Sequence, residues 1–315
     1  MTFYSAAICG FILQVVLYFK RYEISNTLNQ LCRLSHALNP HGVIGSKYFY
    51  THLAILLGTA SVMVSGLCYF FFYKQISTIR SEVVFPFYVP YNMHEACLGF
   101  VLVSSIFSTT LGGLTCSFTT LLCDHIYLMT GNLIRSYRSN LKRNLKTDRL
   151  STFIFYEIKS LKAIVALVDG IDGAFGFCAL LQYCALSSLI FITITIAIYK
   201  GTTFQCYWLI LIIGLNFVST TYVFCRITLS GSMICDESEL LRKISVQCSD
   251  EIYEQSIIGS NLKDGSLQAL SLLLGNMRDV PLRVTGGGMF VIRRSIFLAM
   301  ANSLVTYSVI MYQLN

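Results

Sequence analysis

The sequence predicts an all-α protein whose helices cross a membrane several times. Hydrophobic residues make up 55% of the chain and charged residues 12%, which is about half the charged share of a soluble domain. The mean hydropathy is +0.63, and none of the four prolines lies inside a long apolar run. Together these observations predict a polytopic membrane protein and exclude a soluble globular core.

Apolar runs long enough to cross a bilayer occur six times, and their interiors contain no Asp, Glu, Lys or Arg. A membrane helix needs about 20 predominantly apolar residues. We predict membrane helices over 1–229, cytoplasmic helices over 230–285 and a last span within 286–315. The Gly286-Gly287-Gly288 run before that span is predicted to be a flexible joint, in preference to a phosphate-binding loop. The six runs are 2–19, 48–73, 96–122, 174–199, 204–225 and 295–314.

The basic residues are distributed unevenly between these runs. Segments 20–47, 123–173 and 226–294 hold 20 of the 23 Lys and Arg residues, and segments 74–95 and 200–203 hold the remainder. Because cytoplasmic loops are enriched in Lys and Arg, the three basic segments are predicted to be cytoplasmic and both chain ends extracellular. The net charge of +7 is therefore a signal of membrane topology and does not indicate nucleic-acid binding.

The predicted cytoplasmic segments show the apolar spacing of amphipathic helices. In 20–47 and again in 123–173, aliphatic residues recur at helical intervals, which predicts helices that continue past the membrane. Near Leu267–Leu274 a further helix presents a broad apolar face, and we predict that Leu273 and Leu274 contact neighbouring subunits. Burial of that face within the same chain, or solvated linker helices, are the alternatives.

The last span carries a polar stripe on one side. At about 100° per residue on a helical wheel, the stripe covers roughly 120° of arc. A polar stripe interrupted by two aliphatic residues is typical of a pore wall with a hydrophobic constriction. A stripe that only holds helices together in the membrane fits the same pattern. Its members are Asn302, Ser303, Thr306, Ile310, Gln313 and Leu314.

No arrangement of residues in the sequence is typical of a catalytic or metal site. The five histidines are scattered, and neither an H-E-x-x-H pattern nor cysteine pairs at zinc spacing occur. The predicted spans lack the charged residues that ion-coupled transporters use near the membrane midplane. A G-protein-coupled receptor is disfavoured because the last span contains no proline and is predicted to end outside. We therefore expect no enzymatic activity, no cofactor and no metal.

The chain ends in a threonine–tyrosine pair followed by five residues and a glutamine. It reads Thr306-Tyr307-SVIMY-Gln313-Leu314, with Ser308 as the one departure from an apolar run. Upstream, LRVTGGGMFVIRRSIF has a threonine and small residues before an aromatic and a basic position. VVFPFYVPYNMHEACLGF forms a proline–aromatic external segment, and CDHIYLMTGNLIRSYRSNL leaves the third predicted span. In this combination the chain resembles the insect chemoreceptor superfamily, and the odorant receptors more than the gustatory receptors.

The resemblance implies a ligand-gated, non-selective cation channel built from four subunits. A tuning subunit of this kind would assemble with an odorant co-receptor in the plasma membrane of sensory neurons, surrounded by membrane lipid, with its C-terminus extracellular. A gustatory receptor channel is the alternative. The family has seven spans, so the resemblance also implies that 2–19 corresponds to the second of them and that the first is missing.

The resemblance also assigns roles to residues of the last span. Its polar stripe would line the pore through Ser303 and Thr306, Ile310 and Leu314 would form the closed constriction, and Gln313 would face the ion. Thr306, Tyr307 and Gln313 carry the family signature. The outer halves of other spans would enclose a small, mostly apolar, volatile ligand, although Trp208 fits an aromatic belt residue equally well. The candidate pocket positions are Ser65, Tyr69, Phe100, Val103, Ser104, Tyr207, Trp208 and Leu211.

Overall fold

Seven helices and one small hairpin make up the part of the chain that the computed structural model describes. That part comprises residues 2–38, 94–145, 150–198, 207–257, 264–279 and 282–314. In chain order the helices are α1 (Thr2–Phe19), α2 (Arg21–Leu38), α3 (His94–Leu145), α4 (Leu150–Ile198), α5 (Tyr207–Ile257), α6 (Asp264–Asp279) and α7 (Ser295–Leu314). Strands β1 (Thr285–Gly286) and β2 (Phe290–Val291) lie between α6 and α7. The predicted all-α class is confirmed.

Three helices much longer than a membrane span form the framework. Helices α3, α4 and α5 contain 52, 49 and 51 residues. At a rise of 1.5 Å per residue each is roughly 75 Å long, more than twice the bilayer core of about 30 Å. Each therefore extends well beyond a bilayer, and the extensions carry the basic segments of the sequence.

Two helices in the described part are long and apolar enough to cross a membrane. They are Phe153–Thr195 within α4 and Ser295–Gln313 within α7, and a shorter apolar helix, Ile8–Phe19, lies within α1. The predicted spans 96–122 and 204–225 fall on α3 and α5. The predicted span 48–73 lies outside the described residues.

Helices α1 and α2 are joined at Lys20 with almost no break in backbone hydrogen bonding. The Lys20 amide donates to the Val16 carbonyl, and the Ile24 amide donates to the Lys20 carbonyl, both at 2.9 Å. The Lys20 ammonium donates to the Gly173 carbonyl of α4. Leu31 of α2 is buried in the core, so this amphipathic helix packs on the framework as its apolar spacing predicts.

The buried core lies mainly in the second half of α3, the first two thirds of α4 and the middle of α5. It includes Tyr127, Tyr137 and Phe175 as its largest fully buried side chains. Two ion pairs join α3 to α5 at its border: Arg226 with Asp124 at 3.1 Å and Arg138 with Glu237 at 2.7 Å. Much of the core thus lies in the segments that the basic residues mark as cytoplasmic, and the rest, including Phe175, Tyr183 and Phe224, continues into the predicted spans 174–199 and 204–225.

The segment before α7 is a β-hairpin. Strands β1 and β2 pair antiparallel, with Thr285 opposite Val291 and Gly286 opposite Phe290. The turn needs glycine because Gly287 and Gly288 have φ angles of +60° and +72°, a region that other residues rarely adopt. The predicted flexible joint is therefore wrong: the three glycines belong to a hydrogen-bonded hairpin. The predicted boundary at 286 also divides this hairpin, since α7 begins only at Ser295.

Candidate pore-lining helix and its supports

The polar stripe of α7 lies on the surface of the subunit. Asn302, Ser303, Thr306 and Gln313 are exposed, and the Ile310 side chain is 48% exposed. The side chain of Leu314 lies outside the described part of the structure. The described members of the stripe are therefore exposed on this chain, and their place beside a pore stays a prediction.

The opposite side of α7 packs against the core. Ile296, Phe297, Met300 and Leu304 are partly buried against core residues. These residues recur at helical intervals of three and four, so one apolar face of the helix is covered. Val305 and Tyr312, which lie on the side of the wheel away from the stripe, are exposed as well, so the contact with the framework covers only part of that side.

Tyr307 is a point of contact between α7 and α4. Its hydroxyl lies 2.6 Å from the Thr195 hydroxyl. Its ring packs edge-on against Phe191, with ring centroids 5.0 Å apart. A hydroxyl pair within an apolar region satisfies two polar groups at once, so the tyrosine of the signature holds α7 on α4 and does not face away with the polar stripe.

The hydroxyls of the stripe are satisfied inside the helix itself. Ser303 Oγ donates to the Ala299 carbonyl and Thr306 Oγ1 donates to the Asn302 carbonyl, each at 2.9 Å. Such bonds to the carbonyl four residues earlier remove the cost of an unpaired donor in an apolar setting. The lone pairs of both oxygens still face outward and keep the surface moderately polar.

The hairpin before α7 is anchored to α4 through Asp172. One carboxylate oxygen accepts hydrogen bonds from the Thr285 amide at 2.6 Å and from the Thr285 hydroxyl at 2.9 Å. The other carboxylate oxygen lies 3.0 Å from the same hydroxyl. The Gly288 amide donates to Thr285 Oγ1 at 2.9 Å, and the Gly287 amide donates to the Gly176 carbonyl at 2.7 Å.

An aromatic cluster joins the hairpin to α4, α5 and α7. Tyr183 packs edge-on against Phe290 and Phe224, with centroid distances of 5.3 and 5.4 Å. Phe224 in turn contacts Phe297 of α7 at 6.3 Å. Edge-to-face rings at these separations add to the area they bury, so the base of α7 and the hairpin share one packed cluster.

Close contact with α5 fixes the segment between β2 and α7. A Cβ on Gly231 would lie 2.6 Å from the Ile292 side chain, so only glycine allows this contact. The Cys235 thiol donates to the Ile292 carbonyl at 3.7 Å. At the surface, Arg294 pairs with Asp236 at 2.9 Å. The whole segment from β1 to the first turn of α7 is therefore held by α4 and α5.

The predicted assembly residues of α6 are buried inside the subunit. Leu273 is 1% exposed and Leu274 is 5% exposed, whereas Leu272 is 56% exposed. Leu270, Leu273, Leu274 and Met277 recur at helical spacing and enter the core. The assignment of Leu273 and Leu274 to a contact between subunits is therefore corrected, because α4 and α5 already cover them. Among the leucines of α6 whose side chains the structure describes, Leu272 is the exposed one.

The predicted pocket positions fall on three parts of the chain. Ser65 and Tyr69 lie outside the described residues. Helix α3 contains Phe100, Val103 and Ser104, and the first turns of α5 contain Tyr207, Trp208 and Leu211. The structure does not describe these side chains, so the pocket stays a prediction.

The sequence reasoning did not assign roles to Asp172, Phe191 or Thr195. A signal for Asp172 was present: an acidic residue directly before an apolar run, with Gly176 four residues later on the same helical face. The Asp172 carboxylate can accept hydrogen bonds, and Gly176 has no side chain that would keep another backbone segment away. Together they suit the close approach of such a segment. Phe191 and Thr195 lie within an apolar run and carry no comparable signal.

No protein-family model matches the sequence, and no curated protein sequence matches it significantly. Solved structures of similar fold do exist. The olfactory receptor OR5 of the insect Machilis hrabei has a TM-score of 0.65 and 12% sequence identity, over 100% of this chain and 80% of the receptor. The same receptor in complex with eugenol has a TM-score of 0.59 and 13% identity over the same shares.

Agreement over the full length of the chain at so low an identity is agreement of fold. The fold that the resemblance to the insect chemoreceptor superfamily implied is confirmed. Both solved structures are of a receptor and neither is of an enzyme. The chain therefore has the all-helical membrane fold of the insect olfactory receptors.

Proposed function

We propose that this chain is the tuning subunit of an odorant-gated cation channel in the plasma membrane of sensory neurons. In this proposal four subunits surround one pore, and at least one of them is an odorant co-receptor. The last helix of each subunit lines the pore. The fold is that of an olfactory receptor, and the chain contributes the residues described below.

The observation that carries the proposal is the exposed polar stripe of α7. A membrane helix whose only role is to hold the subunit together would turn its polar groups inward, towards its neighbours in the chain. Here Asn302, Thr306 and Gln313 point away from the core, while Leu304 and Tyr307 pack towards it. Water in a pore between subunits would solvate such a stripe.

The proposed gate is apolar. Ile310 and Leu314, brought together from several subunits, form a constriction narrow enough to exclude water without any charged ring. Gln313 supplies neutral dipoles, which suits weak discrimination among cations. The helix contains no Asp, Glu, Lys or Arg that would favour one ion.

The proposed ligand is a small volatile molecule that is mostly apolar. OR5 from Machilis hrabei has been solved in complex with eugenol, a compound of this class. By analogy, the pocket is enclosed by the outer halves of the spans, at the candidate positions on α3 and α5. Aromatic walls with few hydroxyls bind such ligands mainly through dispersion and with loose specificity.

The decisive experiment records whole-cell current from cells that express the chain alone or with an odorant co-receptor. A panel of volatile compounds, sugars and bitter compounds is applied to both. We expect a cation current evoked by volatile compounds only when the co-receptor is present. A current evoked by sugars or bitter compounds from the chain alone would instead make it a gustatory receptor. Absence of any current, with surface expression confirmed, would contradict the channel proposal.

The pocket is tested in the same cells with Tyr207→Ala. We expect the rank order of active ligands to change while surface expression stays the same, since truncation of a pocket side chain alters the shape that selects the ligand. Tyr222→Ala, a change on the same helix about four turns away, is the control for effects on α5 itself. An unchanged rank order would remove Tyr207 from the pocket.

A further inference from the structure

The contact between Asp172 and Thr285 joins two parts of the chain that are far apart in sequence. The two residues are separated by 113 positions, yet the carboxylate accepts from both the amide and the hydroxyl of Thr285 at 2.6–3.0 Å. Hydrogen bonds to an ionised carboxylate are about twice as strong as neutral ones. This contact, called the latch below, is thus a strong attachment of the hairpin to α4.

The latch also organises the turn of the hairpin. Thr285 Oγ1 donates to Asp172 and accepts from the Gly288 amide, so a single hydroxyl links the carboxylate to the turn. The neighbouring Gly287 amide is held by the Gly176 carbonyl one turn along α4. Loss of the hydroxyl would break both links while leaving the backbone path of the hairpin in place.

Helix α4 therefore holds α7 at two separate places. Asp172 fixes the hairpin from which α7 emerges, and Thr195 with Phe191 holds Tyr307 within α7. The 23 residues between Asp172 and Thr195 span roughly 35 Å of helix. The polar stripe faces away from α4 and adds no further attachment to it. Tilting or sliding of α7 relative to α4 therefore requires one of these two attachments to break.

We propose that Asp172 is a positioning residue for the gate, which acts through Thr285 to hold α7 in the closed arrangement. The inference rests on the proposed channel function. Release of the latch frees the hairpin, so the last helix reaches the open arrangement without ligand. Ligand-driven opening then works against the latch, and its strength sets the resting current.

The test compares four variants in cells that also express the co-receptor. Asp172→Asn weakens the acceptor, and Thr285→Val removes the hydroxyl while keeping the branched shape. Thr285→Ser keeps the hydroxyl and is the conservative rescue. Asp169→Asn is the matched control, because Asp169 is exposed on the same helix one turn earlier. For each, the resting current is divided by the maximal ligand-evoked current and corrected for surface expression.

We expect Asp172→Asn and Thr285→Val each to raise the ratio of resting current to maximal ligand-evoked current, called the resting share, several-fold. The double variant should raise it by less than the two single effects combined, because both changes weaken one contact, of which Thr285→Val leaves the hydrogen bond from the residue 285 amide to Asp172 in place. Thr285→Ser and Asp169→Asn should match the unmodified chain. A merely structural role would lower expression and total current without changing the resting share or its rescue by serine. If Asp172→Asn fails to reach the cell surface, the comparison of Thr285→Val with Thr285→Ser tests the inference instead.

A second measurement follows the hairpin without any current. Arg283, Arg293 and Arg294 are exposed around it, so trypsin applied to permeabilised cells reports how often the segment opens. We expect faster cleavage there in Asp172→Asn and Thr285→Val than in the two controls. Unchanged cleavage together with an unchanged resting share would overturn the inference while leaving the channel function intact. Absence of current in every arm would instead overturn the proposed function, and faster cleavage would still support attachment of the hairpin by Asp172.

Discussion

At the residue scale, the last helix separates side chains that pack against the framework from side chains that lie exposed on its surface. Tyr307 and Leu304 contact the framework, whereas the side chains of Thr306, Ile310 and Gln313 are exposed. Neighbours in sequence thus have opposite roles, because successive helical residues point about 100° apart. Substitutions within one turn of α7 are therefore expected to have different consequences.

Replacement of Ile310 or Leu314 by alanine is expected to raise the resting current or to alter ion permeability. Loss of several apolar side chains from a narrow constriction lets water enter, and the hydrophobic barrier falls. Whole-cell recordings of resting current and reversal potential with the co-receptor measure both effects. Val305→Ala is the control, since Val305 is exposed away from the stripe. Gating and permeability like those of the unmodified chain in both variants would contradict the gate assignment.

Glu157 is a buried carboxyl group in the segment predicted to be cytoplasmic. Burial raises its pKa above the usual range, and the hydrogen bond from Asn144 at 2.8 Å partly opposes that shift. The folded state therefore binds a proton more tightly than the unfolded state. The resulting stability is present below the ordinary pKa of a glutamate and is lost as pH rises through the raised pKa.

Glu157→Gln is accordingly expected to stabilise the folded chain near neutral pH and to have little effect in mild acid. The glutamine oxygen still accepts from Asn144, while the cost of burying a charge disappears. Thermal unfolding of the purified protein across this pH range measures the difference in melting temperature between variant and unmodified chain. Glu239→Gln, at an exposed position on α5, is the control. A difference that shrinks as pH rises would refute the assignment.

At the element scale, α6 shows how a single amphipathic helix is shared between the core and the surface. Leu270, Leu273, Leu274 and Met277 form its buried face. Leu272 lies on the other side of the same turn and is exposed. Single exposed apolar residues are common on protein surfaces, so a contact of Leu272 with a neighbouring subunit is a prediction that the next experiment tests.

Leu273→Asn and Leu272→Asn form a matched pair that separates folding from assembly. A polar group in place of buried Leu273 is expected to cost about 2–5 kcal/mol, so little protein should elute as a single peak in size-exclusion chromatography. Leu272→Asn is expected to fold normally, with a change of about 0.5 kcal/mol or less, and to co-purify less well with the co-receptor. Normal folding of Leu273→Asn with loss of the partner would restore the original assignment.

At the scale of the whole molecule, the core and the last helix lie in different environments. Buried residues lie along α3, α4 and α5, from the basic extensions into the predicted spans, while no residue in the most apolar stretch of α7 is buried. The described part of the molecule is thus a packed set of long helices with α7 attached at its surface.

The orientation of this molecule is predicted by its charge distribution and is tested with epitope tags. A tag placed after Asn315 is expected to bind antibody on intact cells, because the C-terminus is predicted to be extracellular. A tag inserted at 258–263, between α5 and α6, is expected to bind only after permeabilisation. Detection of both tags in permeabilised cells controls for expression. Staining of the inner tag on intact cells would reverse the predicted topology.

The sequence by itself determined the class of the protein, the position of the last membrane helix and the polar stripe along it. Hydropathy and helical period are local properties, and the thickness of the bilayer sets the length of a span independently of other contacts. For that reason the predicted span 295–314 and helix α7 have the same bounds. The terminal motif added the family resemblance, and the fold that this resemblance implied is confirmed.

Only the tertiary structure decided which apolar residues of α6 are buried, that the glycine run forms a hairpin turn, and that Asp172 holds Thr285. Each depends on residues more than a hundred positions apart or on the shape of the surface that an amphipathic helix meets. An apolar face predicts that a helix will be covered, but it does not predict which surface will cover it. A neighbouring segment of the chain and a neighbouring subunit bury the same side chains equally well. Packing against α4 and α5 buries Leu273 within the chain, and the same packing leaves the stripe of α7 exposed.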